Sequence, residues 1–246
     1  MQIKTAEVEL TIAELPCRTY VASPKPPGRY PGIVLYSEIF QLTGPILRSM
    51  HRLAGYGFVV AAPEIYHRAV PPGLVIGYDD AGRMYGNLLA KQTPVAHFDA
   101  TATATFDHLA TRPDVAAGKL GAMGFCIGGH LAMRAALDPR CLATVCAYPT
   151  GVHSGKLGKE PDAGTLAKLS SIAGELLVIF GDVDPHVPKP ARDAISAALS
   201  GTHARHKVLE ISGEHAFMRD EGPRYDPQAS DRVYAEAVAL FRKTLL

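Results

Sequence analysis

The chain has 246 residues, enough to bury a substantial core, and its hydrophobic share of 47% and charged share of 20% are ordinary for a soluble globular protein. A net charge of +1 removes the electrostatic case for nucleic acid or an anionic membrane surface as partner. No apolar run approaches the ~18 residues of a membrane span, nothing near Met1 reads as a secretory signal, and the four cysteines contain no C-x-x-C pair, so reduced thiols in the cytoplasm are expected.

In chain order, residues 7–22 alternate polar and apolar and predict one or two opening strands, antiparallel to each other. Gly32-Ile-Val-Leu-Tyr36 is continuously apolar, as in a parallel sheet covered on both faces, and a helix is expected over Pro45 to Ala54. Phe58 to Ala62 is the next buried strand. Residues 64–93 show no regular period and read as a long connection that covers or lines a site. A helix from Pro94 to Leu109 follows, and then a strand from Lys119 to Gly124. Behind it come a helix to about Leu137, a strand from Ala143 to Tyr148, and a loop region over 149–174 with room for a short helix. The chain closes with a strand Leu176–Phe180, a helix Pro190–Leu199, a strand Lys207–Ile211 and a helix Gln228–Leu245. Strands alternating with helices predict a doubly wound, mainly parallel sheet with helices on both faces, in a single α/β-hydrolase domain over residues 1–246.

In such sheets ligands sit at the carboxyl ends of the strands, so each strand exit was examined for chemistry. Gly124-Phe-Cys-Ile-Gly-Gly129 has the strand–sharp turn–helix pattern of a nucleophile elbow, with Cys126 where serine is usual. The strand at 176–180 delivers Asp182 and Asp184, and the last strand delivers His215. Nucleophile, acid, histidine is the chain order of the α/β-hydrolase triad. Asp184 is favoured as the residue orienting His215, with Asp182 bonding turn backbone. Backbone N–H groups of Ile127 and Ile39 are the candidates for an oxyanion hole. Glu38, at the first parallel strand's exit, would discourage a permanent thiolate nearby and reads instead as a base for a neutral thiol. Cys17, Cys141 and Cys146 read as core residues, and His130 and His186 as packing or surface residues near the site.

Several segments resemble the dienelactone hydrolase (carboxymethylenebutenolidase) family: Glu38-Ile-Phe40, Gly57-Phe-Val-Val-Ala-Ala-Pro-Glu-Ile-Tyr66, the elbow, Gly181-x-x-Asp184-x-x-Val-Pro188 and Gly213-x-His215-x-Phe217-x-Arg219. The resemblance implies a lactonase using Cys126, Asp184 and His215, with the resting thiol hydrogen-bonded to Glu38 and activated when an acidic substrate arrives. It implies that Arg219 binds the substrate carboxylate and that Arg83, with Tyr85 nearby, is the second substrate-binding position. It calls for no metal and no cofactor; the partner is a small lactone or ester. Ala216, Glu64, His130 and Gln41 depart from the family pattern, which bears on substrate more than on reaction class. Two alternatives remain at this point: a broader carboxylesterase or thioesterase, and a non-catalytic binding protein on a hydrolase scaffold.

Overall fold

The computed structural model describes every residue, Met1–Leu246. The opening strands β1 (Ile3–Ile12) and β2 (Leu15–Pro24) pair antiparallel as a hairpin. The reversal is made by Ala13 and Glu14, with φ of 46° and 66°. Two successive left-handed residues match the strand twist, but neither is the Gly or Asn that would mark such a turn in a sequence. β2 then pairs antiparallel with β4 (Val59–Pro63). The rest of the sheet is parallel: β3 (Tyr30–Tyr36), β5 (Val115–Phe125), β6 (Cys141–Ala147), β7 (Glu175–Gly181) and β8 (Arg205–Ile211).

All eight strands join one sheet in the order β1-β2-β4-β3-β5-β6-β7-β8. From β3 the chain moves outward to β4, then returns to lay β5 on the other side of β3. The connections leaving β3 and β5 therefore diverge, and they open a crevice at the carboxyl ends of these neighbouring strands. The segment Ser37–Phe40 leaves one strand and Cys126 leaves the other.

Helices cover both faces because the strands feed both. On β3, Ile33 and Leu35 pack into one apolar layer while Val34 and Tyr36 pack into the other. The first layer is closed by α1 (Gly44–Gly55) and α6 (Pro227–Leu245), through Ile46, Met50 and Leu53 against Val233, Ala237 and Phe241. The second is closed by α3 (Val95–Thr111), α4 (Ile127–Ala135) and α5 (Lys189–Ser200), with Phe98, Phe106, Leu131, Ile195 and Leu199 buried. Between 149 and 174 the chain makes two short 3-10 turns, Val152–Ser154 and Leu166–Ser171.

The expectation for 64–93 is corrected. Residues Asp80–Gln92 form a helix, α2, capped by the Asp79 carboxylate, which accepts from the Gly82 N–H at 2.7 Å. Its helical signal is diluted by Gly82 and Gly86, two poor helix formers. Both glycines are required by contacts outside the helix period: a Cβ on Gly82 would collide with the Gly77 carbonyl, and one on Gly86 would stand 2.6 Å from the Ile39 carbonyl oxygen.

Under α3, His67 and His97 are buried with ring centroids 4.5 Å apart, and neither Nε2 has a partner. Burial, together with the His67 and Arg68 charges, lowers the His97 pKa from 6.5 to about 4, and burial also lowers that of His67. A histidine whose folded pKa lies below its unfolded one takes up protons on unfolding. Its contribution is complete above the unfolded value and is lost as pH falls through the window from about 6.5 to about 4. Thermal melts are expected to show Tm declining across that window, and His97→Leu should raise Tm at pH near 5 while the difference narrows at pH near 8. Parallel Tm–pH curves for the two proteins would remove His97 as a source of acid sensitivity.

Candidate active site

Cys126 occupies the first position beyond β5 with φ 60° and ψ −122°, a conformation that costs a side-chain-bearing residue about 1–3 kcal/mol. Its surroundings hold it there. The Cys126 N–H donates to the Ala147 carbonyl at 3.1 Å, and its own carbonyl accepts from the Thr150 N–H at 3.2 Å. The flanking glycines are required sterically: a Cβ at Gly124 would meet the Gly128 carbonyl, and one at Gly128 the carbonyls of Tyr36 and Ser37. The thiol is half-buried and contacts the Thr150 hydroxyl at 3.9 Å.

Asp184 and His215 approach from the ends of β7 and β8. His215 Nδ1 and Asp184 Oδ2 are 2.7 Å apart, and both residues are buried. The other carboxylate oxygen, Oδ1, accepts from the His186 N–H at 2.7 Å and the Val187 N–H at 3.3 Å. Burial pushes the Asp184 pKa up, but the His215 hydrogen bond and charge and these two N–H groups outweigh it and hold the carboxyl below its ordinary value. Burial would likewise lower His215, yet the Cys126 charge and the hydrogen-bonded Asp184 carboxylate raise it to about 10. Asp182 is exposed and accepts from the Gly213 N–H at 3.0 Å, tying the β7 and β8 exits together as turn chemistry suggested.

Ile127 is the first residue of α4, where a backbone N–H has no partner within the helix. The Ile39 N–H donates to no group in the chain. Both residues line the same cavity as Cys126. The Ile39 loop is held from behind: Phe40 O accepts from Ile76 N–H at 3.1 Å, and Gln41 Oε1 accepts from Tyr66 N–H at 3.4 Å. Gly86 of α2 lies against the Ile39 carbonyl.

Glu38 departs from expectation. It is only 2% exposed, and its carboxylate pairs with Arg219, with 3.0 Å between Oε2 and Nε and an Nη2–H donated to Oε1 at 3.3 Å. No hydrogen bond links it to the thiol, so the arrangement with Cys126 held by Glu38 is not the one observed. The reason is electrostatic: a fully buried carboxylate takes the nearest full opposite charge in preference to a weak thiol donor. Burial raises the Glu38 pKa, and the Arg219 and His215 charges oppose the rise. The Arg219 guanidinium also stacks over Tyr78 at 4.3 Å and Phe40 at 5.3 Å.

Cys126, Ile127, Ile39, His215 and Arg219 border a cavity of about 740 Å³, closed on one side by α2. Arg83 lines it, ion-paired to Asp80 at 2.9 Å. Tyr85 does not: it points outward from α2, and Tyr78 supplies the aromatic face against Arg219. Sequence reasoning passed over two cavity residues, Tyr78 and Thr150, and read a third, His186, as a packing or surface residue near the site. Thr150 and His186 stand just beyond β6 and β7, where the strand-exit rule applies; Tyr78 has no comparable signal.

The family model described as the dienelactone hydrolase family matches residues 17–245. The chain belongs to that family. A Saccharomyces cerevisiae protein provisionally named a carboxymethylenebutenolidase is 39% identical over 212 residues, covering 83% of this chain and 77% of its own. A Synechocystis protein of the same provisional name is 30% identical over 247 residues, 100% of this chain and 99% of the other. Two solved structures share the fold at 22% identity and TM-score 0.80: a dienelactone hydrolase-like promiscuous phosphotriesterase from metagenomic libraries, with 100% of both chains covered, and a protein from Klebsiella pneumoniae provisionally named a dienelactone hydrolase, with 99% of this chain and 100% of the other covered. Membership in the dienelactone hydrolase family makes the chain a carboxylic ester hydrolase acting on small esters or lactones, so the non-catalytic reading falls.

In this member of the family, His130 of the elbow helix is fully buried and bonds on both ring nitrogens. Nδ1 faces the Thr150 carbonyl at 3.0 Å and therefore carries the proton, leaving Nε2 to accept from the Thr165 hydroxyl at 2.8 Å. Arg134 donates to the same hydroxyl at 3.0 Å and forms a two-pronged pair with Asp99. This chain of bonds fixes Thr150 beside the nucleophile.

The close approach of α2 to the Ile39 loop gives a direct test. Gly86→Ala should displace the Ile39 peptide and lower kcat for ester hydrolysis roughly tenfold or more with little change in KM, since an oxyanion donor acts mainly on the transition state. Unchanged kcat in a folded variant, judged by circular dichroism, would show that the loop does not depend on this contact.

Proposed function

We propose that the protein hydrolyses small lactones and esters, dienelactones first among them, through Cys126, His215 and Asp184. The observation that carries this reading is the buried 2.7 Å Asp184–His215 contact, with Cys126 and His215 lining the same cavity. In the proposed sequence, the Cys126 proton passes to His215 and the sulfur attacks the substrate carbonyl carbon. The carbonyl electron pair moves to oxygen, where the Ile39 and Ile127 N–H groups receive it. Collapse breaks the bond to the ring oxygen, which leaves as an alkoxide or, in a dienelactone, an enolate, and takes the proton from His215. Water then gives a proton to His215 and attacks the thioester; release of the thiolate completes the carboxylic acid product.

Glu38 and Arg219 extend the proposal to acidic substrates. A substrate carboxylate reaching Arg219 competes with Glu38 for the guanidinium and frees a buried carboxylate whose basicity is already raised. Released toward the elbow, it takes the thiol proton in place of His215 and then gives that proton to the leaving oxygen. One observation favours the broader esterase reading: the Arg219 charge is already balanced by Glu38, so a neutral substrate meets no unpaired cation there.

Cys126→Ala is expected to lower kcat on a dienelactone by roughly 10³-fold or more, and undiminished turnover would remove Cys126 from the mechanism. Arg219→Ala separates the two substrate readings. A loss in kcat/KM of roughly tenfold to a hundredfold on anionic substrates, with neutral esters spared, supports the carboxylate clamp; equal losses on both favour the broader esterase. Glu38→Gln should slow acylation in single-turnover experiments on acidic substrates. Wild-type acylation rates in that variant would exclude Glu38 as a base.

A further inference from the structure

The His215 ring is gripped from two sides. On the core side is Tyr148, at the end of β6, with ring centroids 5.2 Å apart and planes at 67°. Tyr148 is only 1% exposed and is itself packed on Phe125 and Phe217, so this wall is rigid. On the cavity side stands His186, 4.6 Å from His215 by ring centroids with planes at 66°. Such edge-to-face contacts are favourable arrangements for aromatic pairs. His186 is also the residue whose N–H donates to Asp184 Oδ1 at 2.7 Å. One residue thus meets both partners of the Asp184–His215 pair, and its ring stands beside His215 in the cavity wall.

We propose that His186 is a positioning residue for hydrolysis, the outer half of a two-ring clamp that fixes the plane of His215 and keeps water off its contact with Asp184. This rests on the reading of His215 as the base. A base that serves two steps, receiving a proton from sulfur and later from water, must hold one orientation through both, and small misplacements in such a site are costly. The clamp gives that orientation without a further hydrogen bond.

It also has an electrostatic consequence. The charged and titratable groups facing His215 are Cys126, Asp184, Glu38, Tyr148 and His186, and His186 in turn faces Asp184, Arg224 and Arg83. Burial and the neighbouring His215 charge keep the His186 pKa below its ordinary value, so it is a neutral cover where the enzyme works at neutral pH. The upward shift of His215 comes from charges acting in a dry site, where they outweigh the burial that opposes them. Admitting water moves His215 back toward an ordinary imidazole.

The test compares His186→Ala and His186→Phe with wild type on one ester, measuring kcat, KM and the pH profile of kcat/KM. His186→Ala is expected to lose about tenfold in kcat with KM within about twofold, and the acidic limb of the profile, which reports the base His215, should move to lower pH. His186→Phe, which restores a ring without a titrating group, should recover most of kcat and return the limb toward its wild-type position. His186→Gln serves as a second ring-free variant if the alanine protein melts early. A silent alanine variant overturns the proposal. A phenylalanine variant as impaired as alanine overturns it too, because the imidazole itself would then be required. Wild-type turnover in His215→Asn would instead sink the underlying reading of the base, which keeps the two failures apart.

Discussion

The site depends on the backbone of Cys126. A residue with a side chain is held at positive φ between a strand and a helix, and it stays there because everything around it leaves no alternative space. Gly128 packs against the carbonyls of Tyr36 and Ser37, so the start of α4 touches the exit of β3. That contact sets the spacing between the Ile127 peptide and the Ser37–Phe40 segment. Backbone bonds from Cys126 to Ala147 and from Thr150 to Cys126 extend the same constraint to the exit of β6. A local strain of about 1–3 kcal/mol is thereby offset by packing and hydrogen bonds from three strands.

Charge placement follows a second rule, that no buried charge is left alone. Glu38 is balanced by Arg219, Asp184 by His215, and Arg134 by Asp99. Each pair is worth little as a source of stability, because desolvation consumes much of the attraction. Their effect is on geometry and basicity. Asp184 fixes one nitrogen of His215, leaving the other for the thiol. Arg219 draws Glu38 away from the sulfur and is itself stacked on Tyr78 and Phe40. The substrate meets a site whose charges are already paired, so it must compete for them.

The segment between β4 and α3 links substrate space to these elements. α2 forms a wall of the cavity on one side and abuts the Ile39 carbonyl through Gly86 on the other. A helix that touches both the binding space and the oxyanion loop is a natural place for relatives to differ in substrate while keeping the same elbow. Its outward face carries Met84, Tyr85 and Leu88, which take no part in the cavity.

What the sequence determined by itself was the periodic part and the steric part. Continuous apolar runs can only be strands buried on both faces, and a G-x-C-x-G-G frame after such a strand can only be accommodated as a sharp turn. From these came the sheet, the order of its helices, the position of Cys126, and the placing of Asp184, His215 and Glu38 around one crevice, while Arg219 was implied by the family resemblance. The tertiary structure alone decided which charges pair, because pairing depends on distances across the fold: it set Glu38 on Arg219 where spacing suggested the thiol. It also made a helix of Asp80–Gln92, whose two glycines weaken the local signal and are explained only by carbonyls they approach from elsewhere. Likewise it brought His186 against His215, two histidines from different strand exits whose contact no local pattern records.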